Sequence, residues 1–189
     1  MIESVLENKF ITEPNIENFD ISKINIKQIS SQDAKIIQPK ISKAIWRPAP
    51  GRKLAFLLNY DSKTIGMFFL ASPVINMSVR DSYLKFSSNP SEKGRQLKNY
   101  MDLSVCVGLQ PISWYWNIGK LVAMVATSKE ISKIYFSRYQ DELKGITTTS
   151  LWGRGSLYNR IYKFLGYTKG YGHYHIAVSY THLTLPTKA

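Results

Sequence analysis

Met101-Asp102-Leu103-Ser104-Val105-Cys106-Val107-Gly108-Leu109 places an apolar residue at every second position and small or polar residues between them, the pattern of a mostly buried strand. It runs into Gln110-Pro111-Ile112-Ser113-Trp114-Tyr115-Trp116-Asn117-Ile118-Gly119-Lys120, a loop with three consecutive aromatics. A helical pattern follows, carried by Leu121, Val125, Ile131, Tyr135 and Tyr139. A strand that turns into a helix through a loop leaves bare amide N–H groups at the helix entrance, and the helix dipole adds to their attraction for anions. With a small residue at Gly119 to permit close approach, Asn117, Ile118, Gly119 and Lys120 form the expected phosphate seat.

A second strand is expected over Gly145-Ile146-Thr147-Thr148-Thr149-Ser150-Leu151-Trp152, which is rich in β-branched residues. Gly153-Arg154-Gly155 breaks it. A short helix over Ser156 to Leu165 then aligns Leu157, Ile161 and Leu165 on one face and ends at Gly166, a residue favoured just past a helix C-terminus. Strand, helix, strand, helix implies a parallel pair with a crossover, and ligands of such sheets lie beyond the carboxyl ends of the strands. The aromatic loop falls there.

Upstream, Leu54 to Tyr60 and Ile65 to Ala71 flank Asp61-Ser62-Lys63-Thr64 as a hairpin whose arms are almost wholly apolar, so the sheet is expected to be covered on both faces. Ile24 and Ile26 alternate as in a strand, and Ser31-Gln32-Asp33-Ala34 resembles a helix start, cut short by Pro39. Residues 72–99, with Pro73, Arg80-Asp81, Asn89-Pro90 and the basic run Lys93-Gly94-Arg95-Gln96-Leu97-Lys98, read as an insertion or a helix with exposed charge, and as a long irregular segment suited to substrate contact. Thr127-Ser128-Lys129-Glu130 has capping-box spacing, so the helix from Gly119 either runs on or stops near Ala126 and restarts. Trp46, in the turn-rich connector Trp46 to Arg52, either packs on the core edge or lines a groove.

The formal net charge of the 189-residue chain is +12. Residues 1–50 hold seven basic and six acidic side chains, and residues 51–177 hold seventeen and seven. A surplus confined to one part of the chain is the footprint of a polyanion partner, nucleic acid or a phosphate-rich cofactor; solubility, or AT-rich coding, is the alternative. The single Cys106 excludes disulfides within the chain and CxxC metal sites and reads as an inert core thiol. His173 and His175 alternate around Tyr174 in a strand pattern, and no metal site is expected. With no run long enough to span a bilayer and no signal-peptide pattern, the cytoplasm is the expected compartment and no membrane partner is expected. Val178 to Thr187 corresponds, codon for codon, to a transposase-based sequencing adapter, so residues 178–189 are read as a non-native tail on a chain truncated at its C-terminus.

The order strand, phosphate-type loop, helix, strand, followed by Tyr162-Lys163-Phe164-Leu165-Gly166-Tyr167, resembles the second half of the GNAT (N-acetyltransferase) superfamily. Ile24 to Ala34 resembles its first strand and helix start, and Leu54 to Ala71 its central hairpin. More specifically, Arg80-Asp81, the Leu109-Gln110-Pro111 turn and Gly145 to Gly172 are similar to the DruA-type family of phage and phage-defence proteins, itself distantly similar to the Mom DNA-modification protein. The resemblance implies an α/β fold, a GNAT-like mixed and strongly twisted central sheet flanked by helices, with an N-terminal arm over 1–22 and the domain over 23–177.

It also implies an acyltransferase using acetyl-CoA or another acyl-CoA, bound at Asn117 to Lys120, with Tyr162 as the catalytic acid that protonates the departing thiolate. The glycine-rich family pattern survives here only as Gly119, and Gly155 stands where the family often keeps an asparagine. No carboxylate pair stands out as a base; Asp81 and Glu130 are the candidates. Trp114, Tyr115, Trp116, Trp152, Arg80, Arg154 and Arg160 combine aromatic planes with guanidinium groups, as suits an unstacked base held beside its phosphates. The leading expectation is a phage or phage-defence protein acting on DNA, through acyl-CoA-dependent base modification. The alternatives are a non-catalytic nucleic-acid-binding protein of the same fold and a small-molecule or protein N-acetyltransferase.

Overall fold

The computed structural model describes residues 20–42, 50–150 and 157–178. A 3₁₀ turn, Ile21–Lys23, leads into β1 (Ile24–Ile29) and α1 (Ser31–Ile41). The hairpin β2 (Lys53–Tyr60) and β3 (Lys63–Ala71) is followed by α2 (Ser78–Leu84), α3 (Pro90–Leu97) and β4 (Tyr100–Gly108). Three helices, α4 (Ile112–Tyr115), α5 (Ile118–Ala126) and α6 (Lys129–Tyr139), connect β4 to β5 (Gly145–Ser150), and β6 (Lys163–Tyr167) and β7 (His173–Val178) complete the order.

The strands form one seven-stranded mixed sheet in the order β1-β2-β3-β4-β5-β7-β6. Only the β4–β5 pair is parallel, over Tyr100–Asp102 and Gly145–Thr147; the other five are antiparallel. The parallel pair expected from the sequence is therefore present, joined through α5 and α6.

Because β2 and β3 are apolar on both faces, the sheet is covered on both. One cluster gathers Phe56, Leu58, Phe68 and Leu70 under Ile118, Val122 and Val125 of α5. The other sets Ala55, Leu57, Met67 and Phe69 against Ala34 and Ile37 of α1. The alternation in β4 does not line one face, as its sequence predicts. Leu70 pairs with Leu103 but Phe69 pairs with Val105, so Ser104 is an extra residue in the register, a β-bulge. Its hydroxyl donates to the Phe69 carbonyl at 3.2 Å. The inserted residue sends Leu103 and Cys106 to the α5 side and Val105 and Val107 to the α1 side.

Two local expectations are corrected. Helix α1 runs through Pro39 to Ile41: Pro39 and Lys35, whose carbonyl loses its usual partner, are both exposed near the helix end, where the missing bond costs least. The helix expected over Ser156 to Leu165 is not formed over its described part. Leu157 to Ile161 is a turn, and Lys163 to Tyr167 pairs with β7 instead. Gly166 adopts φ +155° inside this strand, where an added Cβ would lie 3.0 Å from Val79 of α2, so its glycine serves close packing rather than a helix end. The helix of the second half does break near Ala126, and Ser128 occupies the cap position of α6 without making a side-chain cap bond.

Phe56 is fully buried and stacks on Phe68 at 4.9 Å between ring centroids. Phe56→Ala is expected to cost about 3–5 kcal/mol of stability, read as a fall in the urea midpoint at unchanged m.

Candidate functional site

Strands β4 and β5 pair for three residues each and then continue separately, β4 along β3 and β5 along β7. Side chains occupy the junction. On the face shared with α2, Thr147 donates to the Asp102 carboxylate at 2.9 Å. Burial pushes Asp102 up to about 6, against the opposing pull of the Thr147 hydroxyl and the Arg80 charge. Tyr174 joins this group, bonded to Thr147 and Arg80, with its phenol raised to about 12 by burial. On the opposite face Thr148 donates to the Leu103 carbonyl at 3.0 Å, and Tyr158 lies against Thr148, Cys106 and His175. Burial raises the Cys106 thiol to about 12 and lowers His175, so both are held in their neutral forms and the thiol is inert.

The expected phosphate seat has a specific local geometry. Asn117 caps α5, its side chain accepting from Lys120 N at 3.1 Å, while its carbonyl accepts from Lys120 and Leu121. Ile118 is buried and its amide donates to the Trp116 carbonyl at 2.7 Å. Gly119 faces Leu157, whose Cδ1 would lie 2.8 Å from an added Cβ. Most of the first-turn donors are therefore used by the turn itself, and an aliphatic side chain covers the glycine. These residues as placed do not fit a CoA pyrophosphate.

The expected catalytic acid, Tyr162, lies in the core with its hydroxyl donating to the Ala123 carbonyl at 3.2 Å, and burial raises its phenol well above the usual value. Arg80 is fully buried. Its guanidinium donates to the carbonyls of Val74 at 2.7 Å and Ile75 at 2.9 Å and pairs with Asp81. Asp81 also takes Lys93 at 3.0 Å; burial alone would raise its pKa, but the Arg80 and Lys93 bonds outweigh this and lower it. Trp116 is half-buried against the α5-side core, Tyr115 is exposed, and Arg160 is exposed in the turn before β6 with φ +70°. The Trp114 side chain, Trp152 and Arg154 lie outside the described residues. Arg80 and Arg160 thus sit in different settings, one inside and one at the surface.

Sequence reasoning missed Asp102, Thr147 and Tyr174. A lone carboxylate inside an apolar strand was the available signal for Asp102. It also missed the surface formed where α2 meets β6. There Lys163 lies 4.6 Å from the Tyr83 ring centroid, and Tyr83, Tyr167 and Tyr171 are exposed. Among the described residues, no cluster of His, Cys, Asp and Glu is arranged to hold a metal, and no helix is long and apolar enough to cross a membrane.

The family described as Druantia protein DruA matches residues 20–188, nearly all of the chain and including the segment read as an adapter-derived tail, whose proposed start at Val178 falls within β7. The chain belongs to the DruA family. A curated DruA relative, Druantia protein DruA of Escherichia coli (strain UMEA 4076-1), is 34% identical over 147 residues, 67% of this chain and 36% of that protein. The chain therefore spans little more than a third of the length of this DruA relative.

Two outcomes follow from the site. Asp102 is raised in the folded state, so its contribution to stability is full below the unfolded carboxyl pKa and is lost as pH rises through about 6. Asp102→Asn, which keeps an acceptor for Thr147, is expected to stabilise the protein at pH 8 by on the order of 1–3 kcal/mol and to be neutral at pH 4, measured by denaturant melts at both pH values. Gly119→Asp is expected to cost about 1–3 kcal/mol by crowding Leu157; an unchanged thermal midpoint would contradict the packing described.

Proposed function

We propose that this chain is a GNAT-like, DNA-binding module of a Druantia phage-defence system, acting in the cytoplasm and holding DNA chiefly through its phosphates. One observation carries the reading: a net charge of +12, together with basic side chains set among exposed aromatics where α2 and β6 meet. Lysines spread evenly for solubility need no aromatic neighbours. A nucleic-acid surface uses both, cations for the phosphates and rings for exposed bases. Lys163 against Tyr83, with exposed Lys85 beside them in sequence and exposed Tyr167 and Tyr171 beyond, supplies that combination.

Membership of the DruA family and the name of the curated relative support placement in a Druantia system. The mixed sheet, with one parallel step between β4 and β5, supports the GNAT-like reading of the fold. Acyl-CoA is left out of the proposed function because the first turn of α5 is closed by its own bonds and by Leu157. The reading is thus closest to a binding protein that keeps the fold.

The test is fluorescence anisotropy on labelled duplex DNA between about 50 and 300 mM salt. Affinity is expected to fall steeply, log K being linear in log salt. Lys85→Glu with Lys163→Glu is expected to weaken binding about tenfold or more and to flatten the slope by about two, whereas Lys129→Glu with Lys133→Glu on α6 changes affinity far less. Binding that is indifferent to salt, or equally sensitive to both pairs, would remove the proposal.

A further inference from the structure

Away from the β4–β5 junction, a cavity of about 190 Å³ opens between the start of β2, the end of β3, α3 and α6. Pro50, Pro73, Ile75, Leu97 and Tyr100 contribute the apolar part of its lining. Its floor is polar but balanced. Arg52 is ion-paired with Asp141, donates to the Tyr135 hydroxyl at 2.5 Å and to the Lys98 carbonyl at 3.1 Å, and lies 4.8 Å from the Tyr139 ring centroid. A guanidinium already matched by a carboxylate makes a poor seat for a phosphate, yet it offers a fixed, planar, polar surface to a neutral ring. At the mouth stand Gly94, where an added Cβ meets nothing within 4 Å, and exposed Lys98, with exposed Arg95 next to Gly94 on α3.

The geometry points to a binding site for one unstacked nucleobase of a DNA strand, whose phosphates follow Lys98 and Arg95 outside. Pockets that enclose a whole drug-sized ligand run to about 300–1,000 Å³, so this one admits a single ring system and leaves the rest of its ligand in solvent. Apolar walls take the faces of a base, and the Arg52 and Ser72 floor meets its hydrogen-bonding edge. The basic mouth is the charge complement of the strand continuing outward. The lip is held from within. Val74 and Ile75 are 51% and 66% exposed, and their carbonyls are fixed by the buried Arg80 guanidinium, which in turn is anchored on Asp81, a carboxylate that also takes Lys93. Arg80 is then a positioning residue that keeps Ile75 at the mouth. This inference rests on the DNA-binding reading and adds to it a preference for an unpaired base.

The experiment compares two duplexes, one fully paired and one carrying a single bulged 2-aminopurine, by anisotropy and by 2-aminopurine fluorescence. The bulged duplex is expected to bind about tenfold tighter, with a change in probe emission on binding. Gly94→Phe fills the mouth at a helix position that tolerates a side chain, and Ile75→Asp polarises a lip residue that is already exposed. Either variant is expected to abolish the preference and the emission change while leaving the paired duplex within about twofold. Equal affinity for both duplexes, or a preference that survives both substitutions, overturns the base site and leaves DNA binding standing. Binding of neither duplex by the unaltered chain overturns both.

Discussion

The β2–β3 hairpin is apolar on both of its faces, and this constraint organises the rest. Nine of its residues, from Leu54 to Leu58 and from Met67 to Leu70, are at most 1–2% exposed. A sheet centred on such a hairpin must be covered from two sides, and the chain has to supply a helix to each. Helix α1 is delivered to one face from β1, and α5 to the other from β4. In the antiparallel run β1 to β4 only β2 and β3 are joined by a tight turn, α1 lying between β1 and β2 and α2 and α3 between β3 and β4, while the crossover through α5 and α6 forces β5 to return parallel to β4. The one parallel junction is therefore a consequence of covering the second face.

That junction collects polar groups that the core cannot absorb. Parallel pairing lasts three residues, and the Ser104 bulge, on the edge of β4 that pairs with β3, puts Leu103 and Val105 on opposite faces. Asp102 is left beside Thr147, raised by desolvation and moderated by Arg80. On the α5 side, tyrosines Tyr158 and Tyr162 fill the space with hydroxyls turned to protein partners. The same filling brings Leu157 onto Gly119 and closes the first turn of α5. Packing and the loss of an anion seat are thus one event.

Charge follows a different logic. Ion pairs such as Arg52–Asp141 and Arg80–Asp81–Lys93 lie at the joins between helices and strands and hold segments in place. Exposed Lys85 and Lys163, by contrast, lie near exposed tyrosines at α2 and β6, the surface proposed for DNA. The α2–α3 stretch between β3 and β4 supplies both kinds: Arg80 and Lys93, which Asp81 locks, and Lys85 and Arg95, which face solvent.

The periodicity of the sequence by itself determined β1, the hairpin, β4, β5 and the parallel pair, because local pattern and turn chemistry encode each of them, while it left open whether α5 and α6 divide. The resemblance to the DruA-type family also came from the residues alone. Only the tertiary structure decided what Lys163 to Tyr167 would become. Leu157, Ile161 and Leu165 have helical spacing, but β7 offered a ladder, and pairing across a sheet outweighs the weak preference of a short helix. It also decided that Arg80 would be an internal brace, that Ser104 would split the face of β4, and that Arg52, Tyr135 and Tyr100 would enclose a cavity. Each depends on contacts between residues distant in the chain, which no local spacing records.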